Sequence, residues 1–166
     1  MTAHPPVVFI GPMAAGKTKV GKRVARLLGV GFTDTDKAIA AEHGPIPRIF
    51  AEHGEPAFRA LERAAVVAAL AGDDVVSFGG GAVLDPATRA DLIGHRVVYL
   101  TVTPEAVAAR LVDSSRPLVR DGGVAAWERI LQQRRPIYES LADLVVDTSA
   151  GRFDDVAEEV VAWLTR

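Results

Sequence analysis

The sequence predicts an α/β domain in three layers: a five-stranded parallel sheet flanked by helices. Three observations carry this. Short apolar runs recur along the 166 residues, with helix-like stretches between them. Most of these runs are nearly continuous in apolar residues, as suits strands of a parallel sheet covered on both faces. A glycine-rich turn, Gly11 to Thr18 (GPMAAGKT), follows the first run directly.

The strands are expected at Val7–Ile10, Gly31–Thr33, Val75–Phe78, Val97–Val102 and Leu144–Val146. The helices are expected at Lys17–Leu28, Asp36–Glu42, Pro56–Leu70, Pro86–Leu92, Pro104–Leu111, Ala125–Leu141 and Asp154–Leu164. Strands alternating with helices build βαβ units, whose crossovers are right-handed. Pro86 and Pro104 suit first helical turns, where a missing N–H costs nothing. Asp154 suits an N-cap or first turn. Gly44-Pro45-Ile46-Pro47 must end any helix running from Asp36. Residues 113–123 are polar with a Gly-Gly pair and are the candidate for a mobile loop. Length and pattern fit a single domain, 1–166, without internal repeats.

Composition excludes several classes. Hydrophobic content of 49% and charged content of 24% belong to a folded globular chain. A net charge of −2 gives no general attraction to nucleic acid or anionic membrane. The absence of cysteine removes disulfides, thiolate metal sites and a cysteine nucleophile. The first residues, MTAHPPVVFIGP, have no basic start and only a short apolar run, and are not read as a signal peptide. The expected location is the cytoplasm, as a monomer, with a small-molecule substrate and neither nucleic acid nor membrane as partner.

The turn Gly11-x-x-x-x-Gly16-Lys17-Thr18 has the Walker A spacing. Successive backbone N–H groups wrap a phosphate there, and the following helix adds its N-terminal dipole. Lys17 supplies a point charge to the terminal phosphates, and Thr18 offers a hydroxyl to Mg²⁺. Lys19, Lys22, Arg23 and Arg26 on the next helix read as a solvated face. An acidic pair, Asp34 and Asp36, ends the second strand. Carboxylates at i and i+2 of an extended segment point the same way, so one can hold metal and the other an acceptor hydroxyl. A turn or helix cap is the other use of such residues. His4, His43, His53 and His95 lack ligand spacing and are expected to be solvent-facing or capping. Trp127 and Trp163 fit packing positions.

The order of motifs resembles the shikimate kinase family over nearly the whole chain. The pieces are GPMAAGKT, then FTDTD at 32–36, IFAEHGEPAFRALE at 49–62, SFGGGAV at 77–83, RPLV at 116–119, RRPIY at 134–138 and ADLVVDT at 142–148. The resemblance implies a nucleoside monophosphate kinase-like P-loop fold. It also implies an acceptor-binding helical insertion at about 36–62 and a lid at about 113–123. It implies transfer of phosphate from ATP, with Mg²⁺, to the 3-hydroxyl of shikimate. The implied nucleotide contacts are Gly11, Ala14, Ala15, Gly16, Lys17, Thr18, Lys19, Arg110 beside the adenine, Arg116 and Arg152. Thr18 and Asp34 are implied at the metal. Arg59 and Arg134 would clamp the acid, Asp36 would hold or deprotonate the attacking hydroxyl, and Gly79, Gly80 and Gly81 would admit the ring. Phe50 and Phe58 would form apolar walls. Lys17, Asp36 and Arg116 carry the implied catalytic roles, Arg116 by swinging over the transferring phosphate.

Arg59 also has a plainer use, as a helix-surface partner of Glu55 or Glu62. The Pro136-Ile137-Tyr138 anchor selects Arg134 over its neighbour Arg135. The chain departs from the family pattern at Ala14, where glycine is usual, at Lys19, at Ala40, in a 44–50 stretch one residue short, and in an adenine-side loop (149–153) without proline. These departures keep open a kinase for another hydroxy acid, such as gluconate, or a nucleotide-binding module without catalysis.

Overall fold

A computed structural model of the chain describes residues 6–112 and 122–166. The elements are β1 (Val7–Ile10), α1 (Lys17–Leu28), β2 (Phe32–Asp34), α2 (Thr35–His43), α3 (Ile46–Leu70), β3 (Val75–Ser77), a 3-10 turn (Ala82–Leu84), α4 (Pro86–Asp91), β4 (Arg96–Thr101), α5 (Pro104–Val112), α6 (Gly123–Leu141), β5 (Leu144–Asp147) and α7 (Phe153–Leu164). The sheet runs β2-β3-β1-β4-β5 and every pair is parallel. Val8 of β1 lies between Val76 of β3 and Val97 of β4.

The apolar runs become strands because both sheet faces are covered. All four residues of β1 are buried, as are Val75, Val76 and Val97 through Leu100. Helix α1 contributes Val20, Val24 and Ala25 to the same core, and α7 contributes Val156, Ala157 and Val160. A second, smaller cluster of Ile39, Ile49 and Phe58 holds α2 and α3 together. It makes the acceptor-side insertion a packed unit rather than a loop.

Two expectations change. Residues 46–53, read as irregular because of Pro45 and Pro47, are helical. Pro45 is the N-cap of α3 and Pro47 falls in its first turn, where proline is tolerated. The break comes instead at Gly54 (φ 81°, ψ 169°), ahead of Pro56, and kinks α3 into two helices. Likewise Asp34 and Asp36 do not share an extended strand. β2 ends at Asp34, whose side chain caps α2 by accepting from Lys37 N–H at 3.1 Å, so Asp36 falls in the first helical turn.

The strand order places function. Gly11–Thr18 leaves the end of central β1, Asp34 ends β2, and Gly79–Gly81 follows β3. All lie at carboxyl ends of parallel strands, the edge where such sheets hold ligands.

Candidate active site

The glycine-rich turn owes its path to three left-handed or unusual backbone positions: Gly11 (φ 142°), Ala14 (φ 68°) and Gly16 (φ 91°). At Gly11 a Cβ would stand 2.5 Å from the Leu100 carbonyl oxygen, so the turn must pass over β4 without a side chain. Ala14 is the single non-glycine residue with positive φ among the described residues. Its methyl group costs about 1 kcal/mol in that region. Ala14→Gly should remove that strain while adding about 0.4–1 kcal/mol of unfolded-state entropy, so thermal unfolding should shift by no more than about 2 °C. A fall of several degrees would mean that the methyl makes a needed contact.

The turn is held from below and behind. Trp127 Nε1 donates to the Met13 carbonyl at 2.8 Å, Arg110 to the Ala14 carbonyl at 2.7 Å, and the Thr148 hydroxyl reaches the Ala15 carbonyl at 2.7 Å. Trp127 is buried, as its packing position predicts, and adds this anchoring bond. Arg110 also donates to the Thr148 carbonyl, which ties α5 to the end of β5. Burial holds its guanidinium below the ordinary arginine range, with Asp147 opposing. Its charge also lies 5.1 Å from the Phe153 ring centre, and a Cβ on Gly16 would stand 2.6 Å from that same ring. Phe153 is therefore the apolar wall beside the turn. The sequence reading noted only that proline is missing from this loop. Arg152 is 77% exposed, pairs with Asp154 at 3.0 Å and stands outside the cavity lining.

Lys17 Nζ reaches back to the Gly11 and Pro12 carbonyls at 2.7 and 2.9 Å. This places its charge over the mouth of the turn. The Thr18 hydroxyl donates to Asp34 Oδ2 at 2.6 Å. The pair presents oxygen donors alone, the donor set of a hard cation that keeps waters and phosphate oxygens as its remaining ligands. Mg²⁺ fits this set. A cavity of about 620 Å³ runs from Met13, Ala14 and Arg110 past Lys17, Thr18 and Lys19 to Asp34, Asp36, Gly79 and Gly80.

The three glycines after β3 do more than leave space for a ligand. Each is packed against one charged side chain. A Cβ on Gly79 would stand 2.4 Å from Asp36 Oδ1, one on Gly80 3.3 Å from an Arg134 nitrogen, and one on Gly81 2.4 Å from an Arg59 nitrogen. The glycine run is thus the floor on which one carboxylate and two guanidinium groups converge. Arg134 is half-buried there, whereas Arg135 is exposed. Tyr138, one turn after Arg134, donates to the Gly80 carbonyl at 2.6 Å and fixes the floor, and burial pushes its phenol up to about 12.

Arg59 fulfils both of its readings. It faces Gly81, and it pairs with Glu62 at 2.7 Å and Glu55 at 3.3 Å. Glu62 is 4% exposed, and burial pushes its carboxyl up against the pull of Arg59. It orients the guanidinium, a role the sequence reading offered only as a surface ion pair. Phe50 and Phe58 are in ring contact at 4.7 Å. Phe58 belongs to the insertion's core, so Phe50 alone keeps an exposed face there. Burial first, then the charge of Asp34, raises the Asp36 pKa above its ordinary value, against Lys17 and Arg59. Arg116 lies outside the described residues. Of the histidines, His43 and His53 are exposed, while His95 keeps a buried Nδ1 without a partner. Among the described residues no cluster of His, Asp and Glu forms a metal site of its own.

The family model for shikimate kinase matches residues 13–165. The chain belongs to the shikimate kinase family. A shikimate kinase of Thermobifida fusca is 48% identical, over 99% of this chain and 97% of its own length. One from Salinispora arenicola is 47% identical, over 96% and 98%. Among solved structures, the shikimate kinase from Acinetobacter baumannii in complex with shikimate superposes with a TM-score of 0.90 at 32% identity, covering 98% of this chain and 93% of that one. The five-stranded parallel P-loop fold is therefore that of the shikimate kinases, and the protein is a phosphotransferase. Among the described residues no helix is long and apolar enough to cross a membrane.

Proposed function

We propose that the chain transfers the terminal phosphoryl group of ATP to the 3-hydroxyl of shikimate, as a single domain in the cytoplasm. The observation that carries this reading is the convergence of Asp36, Arg134 and Arg59 on Gly79–Gly81 beside the cavity of the phosphate turn. Two guanidinium groups on one glycine floor match a carboxylate, which takes paired N–H donors in a plane. Asp36, between that clamp and Lys17, matches a hydroxyl held in line with the phosphate.

The turn from Gly11 to Thr18 binds the phosphates with its backbone, and Lys17 swings from the Gly11 and Pro12 carbonyls to their oxygens. Thr18 and Asp34 would hold Mg²⁺, which would supply positive charge to offset the terminal phosphates. Arg110 and Phe153 flank the base side of the cavity. Asp36 aligns the acceptor oxygen and takes its proton as the new O–P bond forms and the bond to ADP breaks. Its raised pKa makes it a better proton acceptor than an ordinary carboxylate. Closure by the 113–123 segment, with Arg116, would exclude water and stabilise the transferring charge.

The test is ADP release with ATP and Mg²⁺ in the presence of shikimate, gluconate, quinate or no acceptor. Release should depend on shikimate and stop when EDTA removes the metal. Release with gluconate alone, or equal release without acceptor, would overturn the assignment.

A further inference from the structure

A second cavity, of about 530 Å³, adjoins the first along the outer face of α1. Its walls are Lys19, Lys22, Arg23 and Arg26 of α1, Lys37 of α2 and Asp154 of α7, with Thr18 at the boundary. The spacing of the four α1 residues puts them on one helical stripe. The stripe alone would be a solvated face. Lys37 and Asp154, from two other helices, turn it into a hollow with five cations and one carboxylate, in a chain whose net charge is −2.

That carboxylate does not balance the hollow. Asp154 is already met by Arg23 at 2.5 Å and Arg152 at 3.0 Å. Among the described residues the Lys19 side chain meets only the Phe153 ring, 5.6 Å away. The side chains of Lys22, Arg26 and Lys37 make no hydrogen bond or ion pair with any described residue. Like charges gathered without partners oppose the compact state unless a counter-charge joins them.

We infer that this hollow is a binding site for a small oxyanion of the phosphate class carrying two or more negative charges, separate from the phosphate turn. Its volume suits a small molecule, and lysine and arginine together offer point charges and planar forks to oxyanion oxygens. A nucleic-acid strand fits it less well, because no aromatic ring is among the described residues that line it. Thr18, Lys19 and Lys37 line both cavities, so an occupant shares its field with the nucleotide phosphates. The sign follows: an anion there takes up positive potential that ATP would use. Each therefore weakens the other's binding.

The inference rests on the proposed nucleotide site only for this coupling, and the experiment separates the two. Calorimetric binding of an unreactive ATP analogue with Mg²⁺ is measured first. Inorganic phosphate is then titrated into free protein and into protein saturated with the analogue, at ionic strength matched with chloride. Saturable one-to-one binding is expected in both, weaker with analogue present. A Lys22→Glu/Arg26→Glu double variant, with turnover unchanged in phosphate-free buffer, should lose at least tenfold in phosphate affinity. Unsaturable heats would overturn the inference. So would equal affinity in the double variant, which would assign the phosphate to the turn. Tighter binding of a single-stranded oligonucleotide with steep salt dependence, lost in the double variant while phosphate binds neither form, would assign the face to nucleic acid instead. Failure of the analogue to bind would fall on the nucleotide reading alone, since phosphate titration of free protein and double variant still decides the anion site.

Discussion

Asp36→Asn should lower turnover by about 100- to 10,000-fold and at the same time make the free protein more stable. The two effects share one cause. The carboxylate is packed so closely against Gly79 that a Cβ there would stand 2.4 Å from its oxygen, and it carries Asp34 as a like-charged neighbour. Burial and that repulsion raise its folded-state pKa above the unfolded value. The native protein therefore takes up the proton at higher pH than the unfolded chain does. Stability at this site is fully present below the unfolded pKa and is lost as pH rises through the folded one. At neutral pH the charge is a net burden, which asparagine removes at nearly constant volume. A higher thermal midpoint at neutral pH is expected, read by thermal unfolding. The acid limb of the wild-type kcat/KM profile should lie above the ordinary carboxylate range, because activity needs the ionised form. An unchanged or lower midpoint in Asp36→Asn would show that Lys17 and Arg59 outweigh the burial. Undiminished turnover would remove Asp36 from the chemistry.

What the sequence made legible, and what it hid, divides by the range of the interaction involved. β1, α1 and the phosphate turn are local. Four apolar residues buried on both faces, a Gly-x-x-x-x-Gly-Lys-Thr run and a helix of alternating burial carry their own signals. α3 was half hidden because Pro45 and Pro47 look the same in sequence whether they break a helix or begin one. The Ile39–Ile49–Phe58 packing decides between them. The charged set was legible as residue types, but not as an arrangement. Nothing near Gly81 in the chain announces Arg59, which arrives from the far side of a kinked helix with Glu62 behind it. Lys37 and Asp154 were equally silent. They gain meaning only where α2 and α7 bring them beside α1.

The other large effect is expected at Arg59. Hydrogen bonds to a charged partner are worth about 1.5–3 kcal/mol each, so loss of a two-pronged contact should raise the acceptor KM by roughly 100-fold or more. In Arg59→Ala the KM for ATP should stay within a few-fold of wild type, since the guanidinium lies against Gly81 and not among the residues lining the phosphate cavity. Stability responds separately. Glu62 is left buried without its 2.7 Å partner, and its carboxyl, already pushed up by burial, will then take a proton more readily. Arg59→Lys distinguishes the two roles. Its ammonium keeps an ion pair within reach of Glu62 and so should preserve most of the folding stability, but it has no planar fork for a carboxylate. The acceptor KM should therefore remain high in the lysine variant while its unfolding midpoint returns toward wild type. If lysine restores both, charge alone explains the site. An acceptor KM unchanged in the alanine variant would mean that Arg59 serves Glu55 and Glu62 and leaves the acid to Arg134.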